Sequence, residues 1–479
     1  MAEAEKPCSR CPDLERRIER LERDLARDTG LAQRIAIIEA ENRDLRARLN
    51  LTSRNSSKPP SSDPPSAPPR PTAAPTGRKQ GGQPGHPGVK RQEFAEAEVD
   101  HRIVRHPTRC SNCKTDFGPG AVVAGPPEIR QVVDIPPSVA EVTEYQLVSL
   151  CCPHCLEATR GEMPSGLAGL VGPRLQALLT VVSGKFRLSR RETAQAAIDM
   201  FGPKARICPG WVSELEDRTS QALAPAHEEA HQAVQHAKVV HADETSFPQR
   251  NKKGWLWTAS TAWVAFFLHH LARSRVAAEK LLGEFSGILV VDRWVSYRHY
   301  TKVFRQICLA HLKRNFQELV DRGKPAEALG KAGLSALATI FDLWEEYEKG
   351  HVRFESLARR TAPIRTALRG ALNKGLACRD SKAAALSKDL LKLFDCMWTF
   401  TRHRDVPLTN NLAERRIRPA VLWRKGSFGT QSERGSRFVE RILTVVQTLK
   451  LQGRSAVEFI EQSIRAMAAG RPPPSLLPA

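Results

Sequence analysis

The sequence predicts a multidomain α/β protein in which long helical tracts accompany one mixed sheet. Five short apolar runs typical of strands lie between residues 238 and 311, and residues 312–400 have a helical pattern without a strand signal. A stretch rich in Pro, Ser and Gly, from Ser56 to Gly88, separates these elements from the N-terminal region. At 479 residues the chain exceeds one ordinary domain, so we expect several units joined by linkers.

The charge balance indicates a polyanionic partner. The chain carries 73 Lys and Arg against 52 Asp and Glu, a net charge of +21. Such a surplus repels itself unless a polyanion neutralises it, so double-stranded DNA is the expected partner and a merely soluble basic protein is the alternative. No apolar run approaches the roughly 20 residues that span a bilayer, and the start MAEAEKPCSR lacks a signal-peptide core. We therefore expect a cytoplasmic protein without a membrane partner, whose cysteines bind metal or are buried.

Residues 13–50 have the hydrophobic spacing of a coiled coil. Steps of four and three separate the seam positions, and an interruption at Asp28 predicts a helix that is overwound or broken near Gly30. Asn42 lies on the seam, where a buried amide commonly fixes the register. We expect a homo-oligomer through this segment, with a single amphipathic helix packed on its own domain as the alternative. The seam comprises Leu14, Ile18, Leu21, Leu25, Asp28, Leu31, Ile35, Ile38, Asn42, Leu45 and Leu49.

Two CxxC pairs predict a structural zinc site. Cys110 and Cys113 form the first pair, and Cys152 and Cys155 form the second. Each pair supplies two thiolates, so that together they complete a closed tetrahedral Zn²⁺ site. The strand-like runs RQVVDIPP and EVTEYQLVSL would carry the chain out and back between the pairs.

A helical unit with helix-turn-helix character follows. The run RLSRRETAQAAIDMF precedes a break at Gly202 and Pro203, and a second helix is predicted to begin around Pro209. Arg190 and Arg191 suit contact with phosphates. A structural helical connector is the alternative.

Two aspartates follow apolar runs and are expected at strand ends. Asp243 closes KVVHAD and Asp292 closes GILVVD. A lone aspartate there is usually a turn former or a helix cap. Two carboxylates on adjacent strands repel each other unless divalent cations lie between them. Two such metals about 4 Å apart can promote phosphodiester displacement.

A third carboxylate, Glu414, lies in TNNLAERRIRPA. Residues 402–437 hold nine Lys or Arg against three Asp or Glu, so Glu414 could hold metal while its neighbours hold DNA phosphates. Asn411 with Glu414 three residues later could instead form a capping box. Cys308-x₂-His311 has the spacing of half a zinc site, or is a buried cysteine beside a hydrogen-bonded histidine. The candidate DNA contacts here are Arg415, Arg416, Arg418, Arg424 and Lys425.

Several phrases, in order, resemble the insertion-sequence 66 family of bacterial DDE transposases. They are NSSKPPSSD, GGQPGHPG, the paired CxxC module, HADETSF, VVDRWVSY and NNLAERRIRP, and the resemblance covers nearly the whole chain. It implies a ribonuclease-H-like catalytic core with an all-helical insertion before the catalytic glutamate. It also implies a zinc module.

The resemblance further implies the site and the chemistry. Asp243, Asp292 and Glu414 would hold Mg²⁺ or Mn²⁺, and water would free a 3′-hydroxyl that then attacks target DNA. Cys308 and His311 match a CxxH that is taken to support the core in other DDE groups. Asn410 and Asn411 match the family phrase, whereas Thr409 stands where the family often shows Asp. The family's elements commonly encode small accessory proteins, which are expected as partners, and the protein would join the nucleoid when bound to DNA.

Three functions are therefore compared: a transposase, a non-enzymatic DNA-binding regulator, and a metal-dependent nuclease or junction resolvase on the same core. The ordered acidic trio favours an enzyme, and the helical insertion with the basic surface around Glu414 favours the transposase. The predicted units are a coiled coil (1–52), a linker (53–98), a zinc module (99–162), a helical, DNA-binding domain (163–236), the first part of the core (237–311), a helical insertion (312–400), the second part of the core (401–450), and a C-terminal helix and tail (451–479).

Overall fold

The computed structural model describes residues 11–49, 51–56, 93–123, 125–135, 139–165, 167, 169–300 and 304–478. The linker phrases after Ser56 lie outside these ranges, so the linker stays a prediction. None of the helices in these ranges combines the length and apolar character that crossing a membrane requires.

The N-terminal region is one helix, α1 (Cys11–Leu49). The sequence predicted that this helix is either overwound or broken near Gly30; it continues through Gly30, so the break is not present. A single glycine lowers helix stability without stopping the backbone hydrogen bonds. The seam side chains of Ile18, Leu21 and Ile35 are each more than half exposed. The apolar stripe of α1 is therefore solvated in the single chain.

The cysteine module contains one short hairpin, formed by β1 (Ser149–Cys151) and β2 (Ala158–Arg160). The described residues of RQVVDIPP, 130–135, form no strand, and EVTEYQLVSL reaches β1 only at its last two residues. Both runs therefore contain fewer strand residues than the sequence predicted. The apolar side chains of Val132 and Ile135 are 87% and 82% exposed. Alternating residues stabilise a strand only when a partner strand and a buried face are present.

Four helices connect this module to the sheet, as predicted: α2 (Pro173–Gly184), α3 (Arg190–Phe201), α4 (Pro209–Ala222) and α5 (Ala224–Gln235). Ser189 caps α3 by accepting the backbone N–H of Glu192. Gly202, with φ of +81°, ends α3 in a conformation that favours glycine. The link to α4, residues 202–208, contains a short 3₁₀ turn at Pro203–Ala205.

The sheet has five strands in the order β5-β4-β3-β6-β7. The inner strands β3 and β6 run parallel, as do β6 and β7, whereas β3, β4 and β5 form antiparallel pairs. Helix α6 connects β5 to β6 and packs on the sheet with α5. The bounds are β3 (Val239–Ser246), β4 (Trp255–Ser260), β5 (Ala265–His270), α6 (Arg275–Leu282), β6 (Ile288–Val291) and β7 (Arg305–Ile307).

Both faces of the central strands are covered, which explains the continuous apolar run of β6. Leu289 and Val291 join one core with Val240 of β3, and Ile288 and Val290 join a second core on the opposite face. The second core holds the predicted helical insertion, α7 (Leu309–Asp321), α8 (Glu327–Glu348), α9 (Phe354–Gly375) and α10 (Ser381–Lys392).

The chain ends in α11 (Asn411–Ser427), α12 (Glu433–Leu451) and α13 (Ala456–Ala468). Helix α12 lies along β5 and satisfies its outer edge. The backbone N–H groups of Ala265, Phe267 and His269 donate to Thr448, Thr444 and Glu440 at 3.1, 3.0 and 2.8 Å. Acceptors spaced four apart on a helix match alternate residues of a strand, since four helical rises and two strand rises each span about 6 to 7 Å.

Candidate metal centre and its surroundings

Asp243 and Asp292 lie on one face of the sheet, side by side. The parallel ladder ends with His241 of β3 paired to Val290 of β6, and Asp243 and Asp292 each lie two residues beyond this pair. Asp292 follows the last residue of β6, as expected. Asp243 was expected at a strand end, but β3 continues to Ser246, because its later residues still pair with β4.

Burial raises the pKa of both aspartates, and repulsion by neighbouring carboxylates adds to the rise for Asp243. Desolvation is the main cause of the large upward pKa shift of Asp243, followed by the charges of Glu244, Asp292 and Glu414. Desolvation likewise raises the pKa of Asp292. One backbone N–H bonds each carboxylate, from Glu244 to Asp243 at 2.9 Å and from Trp294 to Asp292 at 2.8 Å. A nearby cation would favour the charged forms of both groups.

Asn410 fixes the start of α11, which carries Glu414. Its side chain is only 1% exposed; Nδ2 donates to the carbonyl of Ala242 at 2.7 Å, and Oδ1 lies 3.1 Å from Nδ1 of His241. Its backbone N–H donates to Sγ of Cys308 at 3.2 Å. The capping box considered for Asn411 and Glu414 does not form, since Asn410 precedes the helix and makes no side-chain cap.

Glu414 faces Cys308 and His311 at the start of α7. Its Oε1 lies 3.6 Å from Nδ1 of His311 and 3.8 Å from Nη2 of Arg314. One ligand atom each from Cys308, His311 and Glu414 lie within 4.8 Å of one another. Among the described residues no other three His, Cys, Asp or Glu side chains are grouped so closely, so Asp243, Asp292 and Glu414 are near neighbours without forming such a group.

His311 is neutral and unsatisfied in this arrangement. Burial lowers its pKa to about 4, so its contact with Glu414 is not an ion pair at neutral pH. Neither Nδ1 of His311 nor Oε1 of Glu414 has a hydrogen-bond partner among the described residues. Buried polar atoms without partners carry a desolvation penalty, which a cation between them would relieve.

A fourth acidic residue, Glu244, was missed by the sequence reasoning. It lies on the opposite face of β3 from Asp243 and accepts hydrogen bonds from Tyr297 Oη at 2.7 Å and Arg273 Nε at 2.8 Å. The Arg273 guanidinium also stacks 3.7 Å from the ring centre of Trp294. Because the Trp294 N–H bonds Asp292, this network supports the loop that carries the second aspartate.

The helical insertion braces the same loop. Arg293 donates to Asp389 of α10 at 2.5 Å and to Asn315 of α7 at 3.0 Å. Arg298 donates to the other oxygen of Asp389 at 2.6 Å. The residues that follow Asp292 are therefore fixed from both sides of the sheet.

The predicted phosphate contacts divide into exposed and structural side chains. Arg191, Arg415, Arg418 and Lys425 are exposed. Three others are constrained: Arg190 bonds Glu216, Arg424 bonds the carbonyl of Ser246, and Arg416 is partly buried. These three were selected for charge alone, which does not distinguish a surface cation from one that ties two elements together.

The two CxxC pairs adopt the same local turn. In each, the first cysteine N–H donates to a carbonyl five residues on and its carbonyl accepts the N–H four residues on, at Lys114 and Leu156, both with φ near +60°. Hydrogen bonding to Thr115 lowers the pKa of Cys113 to about 7. The thiols of the two pairs do not come together as a group of three or more within 4.8 Å.

These features define a class: a mixed α/β protein whose sheet presents two buried aspartates beside a glutamate on a basic helix. The family model described as Transposase IS66 family matches residues 169–437, more than half of the chain. The chain belongs to that family, which confirms the resemblance drawn from its motifs. A second model, a family of unknown function (DUF6444), matches residues 4–92.

Three curated proteins of Sinorhizobium fredii (strain NBRC 101917 / NGR234) are similar in sequence. Uncharacterized protein y4qI is 26% identical over 272 residues, which cover 50% of this chain and 49% of that protein. Protein y4jD is 24% identical, with 65% and 56% covered, and y4hP is 24% identical, with 74% and 70% covered. The chain thus spans about half the length of the first two.

Proposed function

We propose that this protein is a DNA transposase that cuts and joins strands at the ends of an insertion sequence, with Asp243, Asp292 and Glu414 as ligands of Mg²⁺ or Mn²⁺. One observation carries the proposal: the parallel register of β3 and β6 sets two desolvated, mutually repelling aspartates side by side. A folded protein retains such a pair at a penalty that bound cations would remove.

The fold supports the same reading. Three antiparallel strands followed by two parallel ones, flanked by helices and interrupted by α7–α10 before α11, suit a ribonuclease-H-like core with a helical insertion. The solvated stripe of α1 suits a coiled-coil homo-oligomer. The like turns of the two CxxC pairs suit a shared structural Zn²⁺ once the pairs approach each other.

The residues present fit divalent cations. Asp243 and Asp292 offer oxygen ligands on one face, and Glu414 Oε1 lacks a hydrogen-bond partner among the described residues, so its carboxylate can turn toward them. Divalent cations held there supply the stabilisation of attacking and leaving oxygens that phosphodiester displacement needs. Glu244, Tyr297 and Arg273 orient the Asp292 loop, while the exposed cations of α11 hold the DNA backbone.

The direct test incubates the purified chain with a duplex carrying the element's inverted repeat, in Mg²⁺ or EDTA. Metal-dependent nicking with strand joining is expected. Asp243→Ala, Asp292→Ala and Glu414→Ala should each abolish both steps and leave end binding largely intact. The matched control, Glu433→Ala, removes an exposed carboxylate from α12 and should retain activity. Full activity of Glu414→Ala would show that the third ligand is misassigned.

The same assay separates the alternatives. End binding without chemistry would indicate a DNA-binding regulator, and nicking without joining would indicate a nuclease or resolvase.

Cation binding can also be tested through the melting temperature, because a charged Asp243 opposes folding when no cation is bound. Its folded-state pKa lies above the unfolded value, so its penalty grows as the pH rises above that unfolded value. Asp243→Asn should therefore raise the melting temperature in EDTA and abolish the increase that Mg²⁺ gives the wild type. A lower melting temperature in EDTA with an intact Mg²⁺ response would contradict this assignment.

A further inference from the structure

A basic cavity of about 420 Å³ lies beside Glu414, between α7 and the start of α11. Its volume is more than ten times the roughly 30 Å³ that one water molecule occupies in the liquid. Three of the side chains that line it are cationic and none is acidic. The polar lining residues are Arg54, Lys313, Arg314, Gln317, Thr409 and Asn411.

The described residues compensate little of the positive charge of this cavity. Within the described ranges, no carboxylate lies within 4 Å of the charged groups of Arg54 or Lys313. The carboxylate that Arg314 contacts is Glu414, at 3.8 Å. Thr409 and Asn411 place the first turn of α11 at the rim, where the helix dipole favours an anion. Three cations and a helix N-terminus together disfavour an empty cavity.

Arg54 reaches the cavity because the residue after it is anchored. Asn55 is 6% exposed; its Nδ2 donates to Asp321 Oδ2 at 2.9 Å, and its Oδ1 accepts the N–H of Thr52 at 2.8 Å. A second tie joins Asp44 of α1 to Arg322 at 3.2 Å. The segment after α1 therefore docks on the end of α7, although its sequence reads as the beginning of a linker.

We propose that this cavity binds a phosphate of the DNA backbone and that Arg54, supplied by the N-terminal segment, is one of its ligands. The proposal rests on the proposed function and deepens it. The cavity adjoins Glu414 through Arg314, so it holds the strand a short distance from the phosphodiester that reacts. The N-terminal segment thus contributes to the DNA-binding surface as well as to self-association.

The test measures affinity for a fluorescent random-sequence duplex in EDTA at 50 to 200 mM KCl, since phosphate contacts are independent of sequence and of strand chemistry. The association constant K falls as salt rises, and each phosphate contact that is lost makes the slope of log K against log salt shallower by about 0.9. A variant that lacks one contact should therefore lose about 3-fold less affinity than the wild type between 50 and 200 mM KCl. Arg54→Ala and Lys313→Ala should each show this change, and Arg54→Lys should not. Arg360→Ala, an exposed arginine of α9 outside the cavity lining, is the matched control.

Asn55→Ala tests the anchor without altering charge. It should lower the slope as far as Arg54→Ala does, and the double variant should show no further change, because both substitutions withdraw the same side chain. Unchanged slopes in Arg54→Ala and Lys313→Ala, in a wild type that binds DNA, would overturn this inference and leave the proposed function standing. A wild type that binds no duplex at all would overturn both.

Discussion

Replacing Asn410 should weaken the attachment of α11 to β3 of the sheet. In Asn410→Ala, the carbonyl of Ala242 and the Nδ1–H of His241 both lose their buried partner. Burial lowers the pKa of His241 to about 4, so this histidine is neutral and its Nδ1–H is a donor to Asn410. Each buried group left unsatisfied costs about 1–3 kcal/mol, so the two together should cost about 2–6 kcal/mol.

The assay is urea unfolding, followed by strand cleavage at a temperature where the variant is folded. Asn410→Ala should lower the midpoint at constant m-value, and Asn411→Ala, an exposed neighbour, should stay within about 0.5 kcal/mol of the wild type. Cleavage should also fall, because the Asn410 side chain ties the start of α11, the helix that carries Glu414, to Ala242 of β3. An unchanged midpoint would refute the bridging role; full cleavage by a destabilised Asn410→Ala would refute the positioning role.

Three further predictions concern other parts of the chain. Thr444→Val should lower the free energy of unfolding, measured by chemical denaturation, by about 1–3 kcal/mol, because the buried N–H of Phe267 loses its acceptor. Thr366→Val, on an exposed helix face, should leave the free energy of unfolding unchanged. Cys110→Ser should release zinc in elemental analysis; unchanged zinc content would contradict the shared site. The depressed pKa of His241 means that the unfolded chain takes up this proton first, so the contribution of this histidine to stability should be constant above about pH 6.5 and fall by about 3 kcal/mol toward pH 4; His241→Gln should reduce the loss of stability in acid by about that amount.

The strands and helices were largely predictable because their apolar patterns are local. GILVVD predicted β6 and placed Asp292 directly after it, and the apolar period of residues 312–400 predicted the insertion helices. KVVHAD was less informative, because the polar residues Glu244, Thr245 and Ser246 look like a strand terminus yet remain paired with β4. Pairing with the next strand therefore extended β3 beyond the local stop signal.

The sequence led to the proposed ligands but not to all of the residues that support them. Glu244 was missed because a carboxylate next to a predicted strand end is expected in solvent. It is buried instead because Arg273, 29 residues away, and Tyr297 bond it. Its one sequence signal is parity: adjacent acidic residues within a strand face opposite sides of a sheet, so one of them must enter a core.

The docked position of Arg54 had no signal in the sequence. Nothing in a segment that runs into Pro-rich sequence predicts a docked residue, since docking depends on Asp321, 266 residues away from Asn55. Contacts between such distant residues leave no periodic trace in the local pattern.

Because α12 supplies the hydrogen-bond acceptors for the outer edge of β5, a soluble fragment of this protein must include α12. All three acidic residues precede α12, so a fragment that stopped near residue 430 would retain every group proposed for chemistry. Its sheet, however, would end in a bare apolar strand whose N–H groups lack their helical acceptors, which is a template for pairing with other molecules. Aggregation of such a fragment, rather than loss of a ligand, would make it inactive.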